Sequence, residues 1–219
     1  IGATATAIAL ASSVMAQEVT LRLHQFLPLQ ATIPSKAIQP WIGKIEAESG
    51  GRIKIEHYPS MQLGGGPPAL YDQARDGVVD IVWTVIGYSP GRFPSTEAFE
   101  LPFMTGSAET SSRAFHEYVT ANGMQEFADT HPLVFHTHGT GWIHSNKPIA
   151  TLADVSGQKL RGPTRVITNL LSKLGATPVG MPVPAVPEAL SKGVIDGTVI
   201  PWEVTVSLKV PELVTNHTG

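Results

Sequence analysis

The sequence predicts an α/β protein built from two similar lobes. Residues 19–24 and 52–58 alternate apolar with polar side chains, as half-buried strands do, and segments with helical spacing lie between such strands. Residues 78–83 are almost wholly apolar, which is typical of a parallel strand covered on both faces. Residues 76–81 resemble residues 192–197, and each stretch follows a short helical pattern. This internal repeat indicates one helix–glycine–strand unit in each lobe, the layout of hinged proteins that close around a ligand.

The elements of the first half follow from local patterns. Apolar residues recur at helical spacing from Ile38 to Ile45, and Gly50 and Gly51 end that helix. Pro40 lies inside the pattern and predicts either a kink or a late helix start. A glycine-rich turn over residues 63–68 leads into a short helix at 69–75.

The second half continues the alternation of helices and strands. A long amphipathic helix is predicted from about residue 107 to 129, followed by strands at 132–138 and 142–145. A strand at 158–161 precedes a helix at 164–174 that Gly175 ends. A short helix at 187–192 then leads to a strand that begins at Val194.

Composition excludes several classes of function. The 219 residues are 42% hydrophobic and 15% charged, with a formal net charge of −3 and no basic run. A nucleic-acid-binding protein needs a concentrated basic surface, so no nucleic-acid partner is expected. The absence of cysteine excludes disulfides, thiolate nucleophiles and cysteine-based zinc sites.

The first residues are typical of an export signal. Residues 1–16 carry no charge and end in Val14-Met15-Ala16, which matches the apolar core and small-residue cleavage site of a signal peptide. The alternative is a buried apolar helix of the mature fold. No other segment offers the roughly 20 apolar residues of a membrane span, so the mature protein is not expected to span a membrane.

Several short segments, in this order and spacing, resemble the DctP family of TRAP transporter solute-binding proteins. They are Gly50-Gly51-Arg52-Ile53, Tyr58-Pro59 with Gln62-Leu63-Gly64, Asp76-Gly77-Val78-Val79-Asp80, Glu100-Leu101-Pro102-Phe103, residues 152–161, Leu174-Gly175-Ala176-Thr177-Pro178, and Glu188-Ala189-Leu190 through Asp196-Gly197. The resemblance runs from about Val19 to the last residue.

The resemblance implies a two-lobed, type II periplasmic-binding-protein-like fold that is incomplete at the C-terminus. We expect lobe I at residues 17–140 and lobe II at 141–219, after a signal peptide at 1–16. It also implies a periplasmic protein without a cofactor and without enzymatic activity, which captures a small organic acid and delivers it to TRAP membrane permease subunits.

Arg161 is the first candidate for binding the ligand. It ends the strand predicted at 158–161, where a side chain can project into a crevice. A guanidinium offers a planar fork that matches a carboxylate. From residue type alone a surface arginine is the simpler interpretation, but the resemblance implies that the arginine of Lys159-Leu160-Arg161 grips the ligand carboxylate.

The remaining candidates predict an apolar ligand body. Sialic-acid-binding relatives place a second arginine near Gly139-Thr140-Gly141-Trp142 and an acidic contact at the position of Val85, so a polyhydroxylated sugar acid is not expected. A single carboxylate anchor among large apolar residues indicates an aromatic, branched or keto monocarboxylate. The candidate ligand contacts are Trp83, Tyr88, Trp142, Val183 and Trp202, with His24 and Phe26 at the end of the first strand. Packing is an equal alternative for Trp202, His24 and Phe26.

Two other functions stay open on the sequence. His136, His138 and His144 suggest a secreted metal-dependent hydrolase, but no third ligand stands at a recognisable spacing, and hydrogen-bonding roles are preferred. A sensory ligand-binding module is the other alternative. Glu203 is a candidate for binding an ion beside the ligand, as in keto-acid-binding relatives.

Overall fold

The strands of the computed structural model, which describes residues 18–219, form two sheets. The predicted signal peptide at residues 1–16 lies outside the described residues. The strands are β1 Val19–Gln25, β2 Ile53–Tyr58, β3 Ile81–Trp83, β4 Gly141–Ser145, β5 Lys159–Gly162, β6 Thr177–Gly180, β7 Gly197–Pro201 and β8 Asn216–Thr218.

Short helices separate these strands. They are α1 Gln39–Glu48, α2 Leu70–Arg75, α3 Ala108–Asn122, α4 Leu152–Val155, α5 Arg165–Lys173, α6 Val186–Ser191 and α7 Trp202–Thr205. Three of the 3-10 turns are Ile86–Tyr88, Pro94–Glu100 and Val183–Ala185. Within residues 18–219, no helix has the length and apolar character that crossing a membrane requires.

The two sheets have different topologies. The first has the order β2-β1-β3 and is wholly parallel. The second has the order β6-β5-β7-β4-β8, in which β5 pairs in parallel with β6 and β7, while β4 runs antiparallel to β7 and β8. The α/β fold class predicted from the sequence is therefore confirmed.

The internal repeat is real and extends to individual hydrogen bonds. Gly77 and Gly193 both adopt left-handed backbone angles, with φ of 70° and 66°. The N–H of the next residue returns to the helix in both copies, from Val78 to Gln73 O and from Val194 to Ala189 O, each at 2.9 Å. Val79 and Ile195, one residue later, are 1% and 0% exposed and anchor the two copies in the core.

An aspartate completes each copy by fastening the next strand to its neighbour. The Asp80 carboxylate accepts from the backbone N–H of Arg22 at 2.7 Å, and that of Asp196 accepts from the N–H of Lys159 at 2.8 Å. Each aspartate also donates its own backbone N–H to the carbonyl of its partner, Asp80 to Arg22 and Asp196 to Lys159. The repeat is thus a stop signal for α2 and α6 and a start signal for β3 and β7.

Several predicted boundaries differ from the structure for identifiable reasons. Residues 132–138 are not a strand, because the N–H groups of Phe135 and Thr137 bond to side chains of α3 instead of a neighbouring strand. The strand predicted at 78–83 begins only at Ile81, since residues 78 and 79 donate back to α2. The long helix ends at Asn122, and Gly123 separates it from a 3-10 turn at Met124–Phe127.

The first helix is continuous through its proline. Residues 32–48 are helical throughout, and a π-helical turn at Pro34–Ile38 runs directly into α1. Pro40 is the second residue of α1, and the N–H of Gln39 just before it donates to the carbonyl of Pro34 within the π turn. The late helix start predicted as one alternative from Pro40 is therefore wrong; the proline instead follows a π turn, an irregularity that accompanies bends in helices.

The hydrophobic core has both local and shared clusters. One cluster joins β1 and β2 to α1 through Leu23, Ile55 and Ile42. Another covers β5 with α5 through Leu160 and Leu171. The largest contains side chains from both halves of the chain, including Phe26, Leu27, Leu70, Tyr88, Val183, Val186, Ile195 and Ile200. The two sheet regions therefore meet at a shared apolar contact, and the division at residues 140 and 141 stays a prediction.

Candidate functional site

Three aromatic side chains meet where the parallel strands of the first sheet end. Phe26 follows β1, Trp83 ends β3, and Tyr88 lies in the next 3-10 turn. The rings of Phe26 and Trp83 are stacked with centroids 4.9 Å apart, and Tyr88 meets Phe26 edge-on at 5.7 Å. The carboxyl edge of a parallel sheet is where α/β proteins place their ligands.

A hydrogen bond to a histidine fixes the orientation of Trp83. Trp83 donates its indole N–H to Nε2 of His136 at 2.8 Å, and the two rings lie nearly parallel. Burial lowers the pKa of His136, which favours the neutral ring that this hydrogen bond requires. Trp83 therefore presents an apolar ring whose polar atom is already satisfied.

Arg161 approaches this group from the second sheet. It lies in β5 and is 1% exposed. Its Nε donates to the carbonyl of Met181 at 2.8 Å, and its Nη1 donates to the carbonyl of Val199 at 2.9 Å. Both bonds hold the guanidinium in one orientation. Among the described residues, Nη2 finds no acceptor, so one arm of the fork is left unpaired.

Tyr88 and Val183 connect the arginine to the aromatic group. The Tyr88 hydroxyl accepts from the backbone N–H of Val183 at 3.0 Å and lies beside the guanidinium of Arg161. Burial raises the pKa of Tyr88 and lowers that of Arg161. The phenol thus keeps its proton, which it can donate to a bound oxygen.

The charge balance of this site favours an anion. No carboxylate in the described part of the chain pairs with Arg161. A buried arginine retains its charge, and an uncompensated buried charge costs several kcal/mol. A carboxylate that accepts from Nη2 offsets this cost with a charge-assisted hydrogen bond.

A cavity of about 310 Å³ opens next to this group. Its lining includes Gly87, Tyr88, Thr168, Met181 and Pro182, from both halves of the chain. Arg161 itself does not line it. The cavity reaches the site through Tyr88 and through Met181, whose carbonyl accepts from Arg161.

The two remaining tryptophan candidates form a second aromatic group. Trp202 is 42% exposed and lies 6.0 Å from Trp142, 4.7 Å from His144 and 4.8 Å from His217, measured between ring centroids. None of the ring contacts in the described region joins these residues to Phe26, Trp83 or Tyr88. Trp142 and Trp202 thus stay predictions as ligand contacts.

His24 is fully buried, and both of its ring nitrogens have protein partners. Nδ1 bonds Oε1 of Gln73 at 2.7 Å, and Nε2 accepts from the N–H of Leu63 at 3.3 Å. These bonds fasten β1 to α2 and to the glycine-rich turn, which corresponds to the packing alternative. Phe26 and Val183, by contrast, both contact Tyr88, the neighbour of Arg161.

The histidines do not assemble into a metal centre in the described region. Residues 18–219 contain no grouping of three or more His, Asp or Glu side chains suited to a metal ion. His136 bonds Trp83, while His144 bonds Nδ1 of His217 at 2.8 Å and the carbonyl of Ile200 at 3.2 Å. Glu203 accepts from the N–H of Gly139 at 2.9 Å. The contacts of His136 and His144 match the hydrogen-bonding roles expected for them in the sequence analysis.

Comparison with known proteins identifies the family of the chain. Residues 27–218 match the model of the DctP family, described as bacterial extracellular solute-binding protein, family 7. A curated relative, the sialic acid-binding periplasmic protein SiaP of Vibrio cholerae, is 30% identical over 177 residues, which are 78% of this chain and 54% of the relative.

Solved structures are more similar. A marine metagenome TRAP solute-binding protein specific for aromatic acid ligands, crystallised with 3-hydroxybenzoate, is 57% identical with a TM-score of 0.90. The comparison covers 92% of this chain and 63% of that one. A TRAP solute-binding protein of Rhodoferax ferrireducens with copurified benzoate is 54% identical, with a TM-score of 0.89 and 91% and 62% of the two chains covered.

The chain spans just under two thirds of the length of these solved structures and about half that of SiaP. The family match nevertheless covers most of the present chain, and the solved structures share its α/β fold. The chain belongs to the DctP family, family 7 of the bacterial extracellular solute-binding proteins.

Proposed function

We propose that this protein is the periplasmic solute-binding component of a TRAP-type transporter and that its ligand is an aromatic monocarboxylate. The observation that carries the proposal is the buried Arg161, whose Nη2 has no partner among the described residues and whose guanidinium lies beside Tyr88. Tyr88 in turn packs edge-on against Phe26, which stacks on Trp83. The bound 3-hydroxybenzoate and benzoate of the two similar structures support the proposal. Delivery to membrane permease subunits and the absence of enzymatic activity are parts of the same proposal.

The carboxylate binds between Arg161 and Tyr88 in this mechanism. One carboxylate oxygen accepts from Nη2 of Arg161, and the Tyr88 hydroxyl donates to the same group while its oxygen still accepts from Val183. Because Nε and Nη1 are already held by backbone carbonyls, little side-chain entropy is lost when the ligand binds.

The ligand ring lies against the aromatic wall. Offset or edge-on contacts between aromatic rings contribute about 0.5–1.5 kcal/mol beyond the burial of their area. Trp83 offers only its ring, because His136 already accepts from its N–H. This wall favours benzoate-like compounds over sugar acids, whose hydroxyl groups would be left without partners. Val85, which packs on the shared apolar cluster, adds to that preference.

Binding couples to closure of two lobes, with residues 17–140 as lobe I and 141–219 as lobe II. Phe26, Trp83 and Tyr88 come from the first segment, whereas Arg161 and Val183 come from the second. A ligand that contacts both segments binds the closed form better and so shifts the population toward it.

Thermal melting against a ligand panel tests the proposal. We expect benzoate, 3-hydroxybenzoate and mandelate to raise the melting temperature and succinate, glucuronate and sialic acid to leave it unchanged. A ligand at 100 times its Kd stabilises the fold by about 2.7 kcal/mol.

The matched variants are Arg161→Met and Arg113→Met. Arg113 forms an exposed ion pair with Glu109 on α3, so its loss controls for the removal of one positive charge. Arg161→Met is expected to abolish the benzoate shift while Arg113→Met keeps it. A shift that survives in Arg161→Met, or that appears only with sugar acids, would refute the proposed site.

A further inference from the structure

The 3-10 turn at Pro94–Glu100 touches the start of α5 through two carboxylates. Both oxygens of Glu97 accept from Nη2 of Arg165, at 2.7 and 2.6 Å. The Glu97 side chain is only 23% exposed, so this pair is less screened by solvent than an ordinary surface pair. The contact joins the segment before residue 140 to the segment after it.

Glu100 makes the second contact one helical turn later. Its carboxylate accepts from the hydroxyl of Thr164, which also caps the N-terminus of α5 by accepting from the N–H of Ile167. Burial raises the pKa of Glu100. Residues three apart on a 3-10 helix lie on the same side, which is why Glu97 and Glu100 face the same target.

Gly87 allows the two segments to come this close. A Cβ at position 87 would lie 2.4 Å from Cγ2 of Thr164 and 2.6 Å from Oε1 of Glu100, distances that no real Cβ tolerates. Any other residue at position 87 would therefore push the 3-10 turn at Ile86–Tyr88 away from the start of α5. The same turn carries Tyr88, so the glycine that allows the close approach also sets the position of the Tyr88 phenol.

These contacts are linked to the ligand site along the chain. Thr164 follows Arg161 by three residues, and Gly87 adjoins Tyr88. We infer that Glu97 and Glu100 are positioning residues that hold Thr164 and Arg165 in the closed form and thereby slow the release of the ligand from Arg161. We call these two contacts the closing contacts. The inference rests on the proposed function, in which the two segments close around an aromatic carboxylate.

The two closing contacts are expected to differ in strength. A partly exposed ion pair contributes up to about 1 kcal/mol, so Glu97→Gln is expected to speed benzoate dissociation up to roughly fivefold. A partly buried hydrogen bond to a carboxylate is stronger, so Glu100→Ala is expected to speed benzoate dissociation roughly tenfold. Glu100→Gln keeps an acceptor for Thr164 and is expected to stay closer to the parent protein.

Two measurements test the inference on the purified protein. The chain has no cysteine, so spin labels attached at Lys44→Cys and Lys192→Cys report the distance between the two segments directly. Both lysines are exposed. Stopped-flow tryptophan fluorescence gives the dissociation rate of benzoate. Glu109→Gln, which breaks an exposed pair within α3, is the matched control.

We expect Glu97→Gln and Glu100→Ala to populate longer distances than the parent and Glu109→Gln, even without ligand. Unchanged distances in both variants would overturn the inference. It would also be overturned if Glu100→Ala lowered the unfolding midpoint equally with and without benzoate, since that describes an ordinary fold contact. If the variants change the distances but benzoate alters neither distance nor fluorescence in the parent, the closing contacts stand and the proposed ligand is wrong.

Discussion

Tyr88 shows how one side chain serves two parts of the molecule. Its ring packs edge-on against Phe26, while its hydroxyl accepts from the N–H of Val183 across the contact between the two sheet regions. Nothing in the sequence around residue 88 identifies Val183 as its partner, since 95 residues separate them. The pairing exists only because the two turns meet in the fold.

The substitution Tyr88→Phe tests this double role. It leaves the Val183 N–H without an acceptor, and a buried unsatisfied donor costs about 1–3 kcal/mol. We expect the free energy of unfolding to fall by that amount and benzoate affinity to fall as well, measured by urea titration and calorimetry.

Tyr118→Phe is the matched control, because Tyr118 lies on the surface of α3 and is 38% exposed. Equal stability of the two variants would mean that the bond from Val183 contributes nothing to folding.

At the scale of elements, the helix–glycine–strand repeat governs how β3 and β7, one strand in each sheet, begin. Gly77 and Gly193 have left-handed backbone angles, and a Cβ added at either would meet no atom within 4 Å. Only the backbone conformation therefore requires glycine at these two positions. The repeat predicts that the two copies respond alike to substitution.

We expect Gly77→Ala and Gly193→Ala each to destabilise the protein by about 1–2 kcal/mol, the cost of the left-handed conformation for a residue with a Cβ. Gly43→Ala is the control, because Gly43 is exposed inside α1 and also has open space around it. There, alanine is expected to stabilise by up to about 1 kcal/mol. Urea denaturation of the three variants measures their unfolding free energies. If Gly77→Ala and Gly193→Ala are no less stable than Gly43→Ala, the left-handed backbone angles do not require glycine at these positions.

At the scale of the whole molecule, histidines that are partly or fully buried couple stability to pH. Burial lowers the pKa of His57, His136 and His144 below the usual value of 6.5. The folded protein thus binds fewer protons at these rings than the unfolded chain. Their contribution to stability is present above pH 6.5 and is lost as the pH falls through the lowered pKa values.

The His144 contact makes this dependence specific. Its Nε2–H donates to the carbonyl of Ile200, so in the neutral ring Nδ1 accepts from Nδ1–H of His217. A proton on Nδ1 of His144 removes that acceptor, and the two rings can then stay bonded only if His217 moves its own proton to Nε2. We expect the unfolding free energy to decrease from pH 7.5 to 5.5 and the decrease to be smaller in His144→Gln.

Urea titrations at four pH values measure this slope, with His131→Gln as the control for replacing an exposed histidine. Comparing variants cancels the opposite contribution of Glu100, whose pKa is raised by burial. A slope in His144→Gln equal to that of the parent would show that His144 does not titrate in this range.

The sequence alone determined the features that depend on neighbours along the chain. Alternating and helical patterns predicted β1, β2, β4, β5, α2, α5 and α6, and the repeat at Gly77 and Gly193 was visible as a short run of similar residues. The resemblance identified the family and selected Arg161. Local patterns succeed here because caps, glycines and apolar spacing act within a few residues.

The tertiary structure decided everything that depends on distant partners. It turned the strand predicted at 132–138 into a segment bonded to α3 and placed His136 on Trp83. It also joined Phe26 and Val183 to Tyr88, which lies beside Arg161, while placing Trp142 and Trp202 in another group. The physical reason is that hydrogen bonds and burial are satisfied by whichever group the folded chain brings near, and sequence spacing carries no record of those distances.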